Sequence, residues 1–268
     1  MDTHEPLINT EALWQDIAAI RQKRPLVHNI TNYVVMNSTA NALLALGASP
    51  VMAHSVDEVE DMVSLAGMLG GALVINIGTL SKPWIAAMEV GMAAARQHRV
   101  PIVFDPVGAG ATGFRTDTCK RLLAASPAAV IRGNGSEIMA LLDDSVQTKG
   151  VDAAAGGDPA AAARACAQAY GCVVCASGAV DYISDGATDL HNRSGHPLMA
   201  RVTGMGCTAT AIIGAFAAVN ANAFEATAHA MAAMGLAGEL AASQAAGPGS
   251  LQLHFYDALY NLNKEQLI

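Results

Sequence analysis

The chain has 268 residues, enough to bury a large core as one big α/β domain or two modest ones. Its composition, 52% hydrophobic and only 14% charged with 25 glycines, excludes a disordered chain and suits a compact enzyme core. A net charge of -8 argues against a nucleic-acid partner, since such proteins need clustered Lys and Arg to replace counterions, and any anionic substrate must be held by local devices.

A helix is expected from about Thr10 to Gln22, with Trp14 packing on the domain or against another subunit. Short apolar, β-branched runs then alternate with amphipathic stretches. The runs Pro25 to Ile30, Ser49 to Ala53, Ala72 to Ile77, Pro101 to Asp105, Ala129 to Ile131 and Cys172 to Ala176 read as buried strands. Between them, helices are expected over Thr31 to Leu46, Val56 to Leu69, Lys82 to Gln97, Thr116 to Ala125, Ser136 to Leu142 and Pro159 to Tyr170. This is βαβ architecture with a mostly parallel sheet covered on both faces. Asp181 to Ser184 and Ala187 to His191 form a hairpin about an Asp185-Gly186 turn. Three helices should close the chain, over Cys207 to Val219, Phe224 to Ala246 and Ser250 to Leu262, with Ser250 capping the last. No Pro/Ser-rich linker or charge block interrupts the series, so one domain spanning 1–268 is expected.

Five cysteines form no even disulfide framework, and Met1-Asp-Thr-His-Glu5 lacks the basic and apolar regions of a secretory signal, which together fit a reducing cytoplasm. The longest apolar runs fall short of the roughly 20 residues that cross a bilayer, so no membrane partner is expected. Cys172-Val-Val-Cys175 has the spacing of a redox or zinc motif, but it lies in a strand, where positions three apart point to opposite faces. No second such pair completes a metal site. Both thiols read as small buried hydrophobes.

In open parallel sheets ligands bind beyond the carboxyl ends of the strands, and five such ends carry polar, glycine-rich sequence. His28-Asn-Ile-Thr-Asn32 ends the first strand; Asn29 or Thr31 could cap the next helix, leaving His28 and Asn32 for substrate contact. Met52 ends the second strand, where a Met is ordinarily core filler. Asp105-Pro-Val-Gly-Ala-Gly-Ala-Thr-Gly113 contains the spacing of a dinucleotide fingerprint, but Pro106 obstructs a direct strand-to-helix turn and no acid follows where a ribose would need one. Asp105 beside a glycine loop remains a candidate magnesium or phosphate-site group. Ile131-Arg-Gly-Asn-Gly-Ser-Glu137 admits two readings, a turn with capping Asn134 and dipole-favoured Glu137, or a guanidinium for phosphate with Asn134 and Glu137 ordering a metal; only the second explains Arg132. Val202-Thr-Gly-Met-Gly-Cys207 leads into an apolar helix, so glycine amides can converge at the positive end of its dipole. Cys207 sits at that end, a setting that lowers a thiol's pKa.

Taken together these motifs resemble the hydroxyethylthiazole kinases, a branch of the ribokinase-like superfamily. The resemblance runs from Pro25-Leu-Val-His-Asn-Ile-Thr-Asn32 through Leu43-Leu-Ala-Leu-Gly-Ala-Ser-Pro50, Asn76-Ile-Gly-Thr-Leu80, Asp105-Pro-Val-Gly-Ala-Gly110, Ile131-Arg-Gly-Asn134 and Val202-Thr-Gly204 to Gly247-Pro-Gly-Ser250. It implies a three-layer α/β/α ribokinase-like fold with a mostly parallel central sheet, assembled as a homotrimer with active sites at subunit interfaces. The implied reaction is transfer of the γ-phosphoryl group of ATP, with Mg2+, to 5-(2-hydroxyethyl)-4-methylthiazole.

By position, Met52 and Gly204 then match substrate contacts, and Arg132 and Ser177 match ATP contacts, with Asn134 and Gly206 beside them. Asp105 and Glu137 match the acids that organise magnesium, and Cys207 falls where most of the superfamily has an aspartate base. Met205 stands where the family usually has a small residue, Ser177 where Thr is frequent and Ala179 where Glu is frequent, departures that bear on rate more than on class. Two other functions fit the same sequence features: an ADP- or ATP-dependent dehydratase acting on hydrated nicotinamide cofactors, and a weakly catalytic thiazole-binding protein. The thiol at 207, where a dehydratase would keep a carboxylate, favours the kinase.

Overall fold

The structure is a computed structural model that describes residues 8–142 and 157–267, so the N-terminal Met1 to Glu5 stretch lies outside the described residues. Its strands are β1 (Leu26–Ile30), β2 (Ser49–Val51), β3 (Ala72–Asn76), β4 (Ile102–Asp105), β5 (Val130–Asn134), β6 (Val173–Ser177), β7 (Asp181–Ser184) and β8 (Asp189–Asn192). They form one eight-stranded sheet in the order β2-β1-β3-β4-β5-β6-β7-β8, parallel from β2 to β6 and antiparallel across the closing hairpin.

Its helices are α1 (Thr10–Lys23), α2 (Met36–Leu46), α3 (Val59–Met68), α4 (Lys82–His98), α5 (Gly113–Ala125), α6 (Gly135–Leu141), α7 (Pro159–Tyr170), α8 (Met205–Ala217), α9 (Ala223–Gln244) and α10 (Pro248–Asn261). They divide between the two faces of the sheet because alternate strand residues point to opposite sides. Val27, Val74, Val103 and Val130 meet α1, α2, α8, α9 and α10, whereas Leu73, Ile75, Phe104 and Ile131 meet α3 to α7. This is the expected three-layer α/β/α arrangement. Cys172 and Cys175 fall in the two different cores, both as free buried thiols, which bears out the reading of that pair as packing residues.

Several boundaries differ from those expected, each for a local reason. The helix expected from Thr31 begins at Met36, and neither Asn29 nor Thr31 caps it; its N-cap is Val35, without a side-chain bond. Asn29 is buried and donates to the Val27 carbonyl at 2.8 Å, and the Thr31 carbonyl accepts the Trp84 indole N–H at 2.7 Å. Helix α8 begins at Met205 rather than Cys207, and α5 at Gly113, capped by Thr112. Gly247, not Ser250, is the N-cap of α10; Ser250 sits three residues in, its hydroxyl accepting the Gly247 and Ala246 N–H groups. Strand β5 runs on to Asn134, pairing Arg132 with Cys175 and Asn134 with Ser177, so the Arg132 side chain starts from the sheet itself. Among the described residues no helix is long and apolar enough to cross a membrane.

Candidate active site

Asp105 ends β4 directly beside Asn76 at the end of β3. Its Oδ2 accepts a hydrogen bond from Asn76 Nδ2 and another from Thr210 Oγ1, both at 2.8 Å. The carboxyl group is buried, and loss of solvent pushes its pKa from 3.8 up to about 6. Arg132 and the Thr210 hydroxyl pull in the other direction, while the charge of Glu137 adds to the rise. Asp105, Arg132 and Glu137 therefore share one electrostatic environment.

Thr210 lies in α8, one turn beyond Cys207, which places Asp105 and Cys207 at the same helix start. Asn32 completes the link: its Nδ2 donates to Asn76 Oδ1 at 2.8 Å and approaches Cys207 Sγ at 3.6 Å, while its Oδ1 accepts the Val34 N–H at 3.0 Å. A continuous run of side chains thus joins Cys207, Asn32, Asn76, Asp105 and Thr210. The expected lowering of the Cys207 pKa is contradicted. Burial, and next the nearby Asp105 charge, push the thiol up to about 11, against weaker opposing help from Asn76, Arg132 and Asn32. A helix start favours a thiolate, but here the sulfur is withdrawn from solvent beside an acid, and those two effects outweigh it.

Arg132 leaves β5 toward the same helix start. Its Nη2 donates to Ser177 Oγ, which in turn donates to the Gly133 carbonyl at 3.2 Å. Its buried Nε has no hydrogen-bond partner in the structure, a costly arrangement for a charged group unless a ligand meets it. Gly206 allows the guanidinium to approach: a Cβ there would lie 2.6 Å from Arg132 Nη1. The first amides of α8 have no carbonyl partner within the helix, so they and Arg132 face one space with positive character. That space is a cleft of about 610 Å3, lined among others by Arg132, Asn134, Ser177, Asp181, Met205 and Gly206. Burial also raises the pKa of Asp181, whose carboxylate accepts from Asn192 and from the Gly178 N–H.

The remaining expected residues occupy the rim or its supports. Gly204 caps α8 with φ of 83°, and a Cβ there would lie 2.7 Å from Val35 Cγ1, so glycine is required both by conformation and by its neighbour. Met52 follows β2 directly, with its carbonyl accepting from His54 Nδ1 at 3.1 Å. His28 is fully buried rather than open to the cleft, with Nε2 donating to the Ala53 carbonyl at 2.8 Å; burial lowers its pKa, and it anchors the segment that carries Met52. Asn134 and Glu137 form a capping box on α6, which satisfies the simpler of the two readings of that turn. Glu137 does more, however: Oε2 accepts the Asn134 N–H at 2.8 Å and Oε1 accepts the Gly108 N–H at 2.7 Å, tying the glycine loop to the end of β5.

Whether these acids suit a metal follows from their donors. Among the described residues no three His, Cys, Asp or Glu side chains gather as a complete cation cage. Asp105, whose pKa is raised by burial and further by the charge of Glu137, together with Glu137 suits a magnesium ion that would take its other ligands from phosphates and water. Asn76 and Thr210 join the site only in the fold. Asn76 opens one of the motifs that carry the family resemblance, and Thr210 stands one helical turn past Cys207, a spacing that would have pointed to it.

The Hydroxyethylthiazole kinase family model matches residues 17–265. A hydroxyethylthiazole kinase from Syntrophus aciditrophicus (strain SB) is 54% identical over 262 residues, covering 97% of this chain and 96% of its own. Among solved structures, a hydroxyethylthiazole kinase protein from Pyrococcus horikoshii OT3 is 43% identical with a TM-score of 0.87, over 96% of this chain and 95% of that one. A ribokinase-like superfamily protein from Enterococcus faecalis V583, at 17% identity and a TM-score of 0.61 over 87% and 86% of the two chains, shares the fold. On these matches, spread across every strand end that builds the site, the chain belongs to the hydroxyethylthiazole kinase family and has its ribokinase-like fold.

Proposed function

We propose that this protein transfers the γ-phosphoryl group of ATP to the primary hydroxyl of 5-(2-hydroxyethyl)-4-methylthiazole, with magnesium, in thiamine salvage or biosynthesis. The observation that carries the reading is the convergence of Arg132, Asp105 and Cys207 on the start of α8, with Arg132 against Gly206 and Asp105 bonded to Thr210 of the same helix. Family membership supplies the acceptor. The reading also takes the chain as one kinase domain over 1–268, cytoplasmic, and working as a homotrimer with active sites at subunit interfaces. Tyr33 and Val34, both more than 60% exposed directly after Asn32, support such an interface at that segment.

Phosphoryl transfer through a loose transition state needs alignment and charge neutralisation more than covalent help. In this reading Arg132 and Ser177 hold the ATP phosphates, Asn134 borders them, and the α8 amides from Met205 to Cys207 receive the equatorial oxygens of the moving group. Asp105 and Glu137 would hold magnesium, whose charge would offset that of the phosphates. The Met52 backbone and Gly204 hold the thiazole. Cys207 orients the alcohol: its thiol is protonated near neutral pH, so it serves as a hydrogen-bonding partner of the hydroxyl, and the hydroxyl proton passes to an oxygen of the transferred phosphoryl group as the new P–O bond forms and the bond to the departing ADP oxygen breaks. Asn32 fixes the sulfur, and His28 fixes the Met52 segment.

The test is ADP release by the purified protein. Release that requires ATP, magnesium and the thiazole alcohol together is the expected result. ADP release indifferent to the alcohol, or thiazole binding without any release, would overturn the assignment in favour of a hydrolase or a binding protein.

A further inference from the structure

Arg115 stands near the start of α5, directly after the glycine loop, with a half-buried side chain. Its Nη1 donates to the Ile77 and Val107 carbonyls, both at 2.8 Å, and its Nη2 donates to the Gly78 carbonyl at 3.0 Å. Ile77 and Gly78 follow β3, whereas Val107 follows β4, so one planar cation clasps two separate strand-end segments. Each segment leads to a different half of the site. Gly78 backs onto Asn32, where an added Cβ would lie 2.5 Å from Nδ2, and Asn32 in turn approaches Cys207. Val107 leads to Gly108, whose N–H is the group held by Glu137 Oε1. The next residue of α5 secures the same loop farther along, with Thr116 Oγ1 accepting the Gly110 N–H at 2.9 Å.

A guanidinium suits this place because its donors are fixed in one plane and can serve several carbonyls at once while the group stays charged. Past the sheet the two segments share a backbone bond from the Ile77 N–H to the Asp105 carbonyl at 3.3 Å, and the clasp extends that tie one step farther, to Gly78 and Val107.

We propose that Arg115 is a positioning residue for the transfer reaction, fixing the spacing between the Asn32 and Cys207 half of the site and the Gly108 and Glu137 half. It acts through backbone carbonyls and touches neither the acceptor nor the phosphates. This inference rests on the kinase reading above. Its signature is a fall in turnover without loss of substrate affinity, because binding contacts remain while their mutual alignment is lost; a misplacement of about 1 Å can cost roughly 100-fold in rate.

The experiment compares initial rates of wild type, Arg115→Ala, Arg115→Lys and Arg115→Gln over ranges of both ATP-magnesium and hydroxyethylthiazole, with thermal melting of each. Expected are a fall in kcat of about 10- to 100-fold for Arg115→Ala with both KM values within about 3-fold, and intermediate kcat for Arg115→Lys, whose ammonium reaches one segment more readily than two. If the alanine variant does not fold, the order arginine, lysine, glutamine in kcat carries the test. Folded variants that keep wild-type kcat would overturn the inference, as would a loss confined to the KM for ATP, which would make Arg115 a direct ligand. Inactive wild type would instead remove the kinase reading beneath it.

Discussion

Replacing Asp105 by Asn should make the ligand-free protein more stable and catalytically dead. The Asp105 carboxyl titrates at about 6 in the fold against 3.8 in a free chain, so between those values the folded state holds a proton that the unfolded state has released. The stability associated with the protonated acid is full below about pH 4 and is lost as pH rises through about 6. At about 1.36 kcal/mol for each tenfold change in proton affinity, the ionised form costs the fold about 3 kcal/mol at neutral pH. The amide removes that cost and still offers an oxygen to Asn76 and Thr210, the two donors that Oδ2 now receives. For a chain of this size the gain corresponds to a rise in Tm of about 5–6 °C. Melting of both proteins between about pH 4 and pH 8, without nucleotide or magnesium, should show equal stability at the acid end and a gap that opens toward neutrality. Turnover should fall at least 100-fold, since a group that holds magnesium is lost. A pH-independent gap, or a less stable variant at neutral pH, would refute the burial argument.

Cys207→Ala should lower kcat by about 10-fold, because a positioning contact rather than a strong base is removed, and Cys207→Asp should remain active; turnover unchanged in the alanine variant would take the thiol out of the mechanism. Modification of Cys207 by a neutral alkylating reagent should accelerate about tenfold per pH unit up to about pH 11, whereas a plateau below pH 9 would show that the thiol is activated after all. Gly206→Ala drives a methyl group into Arg132 Nη1 and should weaken ATP binding at least 10-fold by calorimetry with the fold intact. Arg132→Ala should weaken it further, and unaltered nucleotide affinity would contradict the placement of phosphate at that guanidinium.

Much of this arrangement can be read in the linear chain. Alternating runs such as Ala72 to Ile77 and Pro101 to Asp105 fix the parallel sheet, and brief polar, glycine-rich sequence after each run marks where a ligand belongs. What escapes is set by contacts between distant segments. Asn29 and Thr31 look like caps because local sequence offers nothing else for them to do, yet their neighbour Asn32 reaches Asn76 and Cys207, more than 40 positions away in each case. Cys207 illustrates the same limit in electrostatics: the helix start is visible in Gly-Met-Gly-Cys, but the burial and the Asp105 charge that outweigh it are not. Glu137 admits two readings in the chain, a capping acid or a metal group; in the fold one of its oxygens accepts the Asn134 N–H at the start of α6 and the other holds the glycine loop, a contact no local pattern announces. Arg115 leaves no trace beyond being a basic residue after that loop, because its partners are carbonyls, which carry no side-chain signature.

A crystal structure with a non-hydrolysable ATP analogue, magnesium and hydroxyethylthiazole tests the central claim most directly. The account predicts the terminal phosphate at the first amides of α8 and within reach of Arg132, with the thiazole hydroxyl about 3–3.5 Å from its phosphorus in line with the leaving oxygen. A nucleotide bound with its terminal phosphate away from that helix start, or an alcohol on the far side of the sheet, would contradict it.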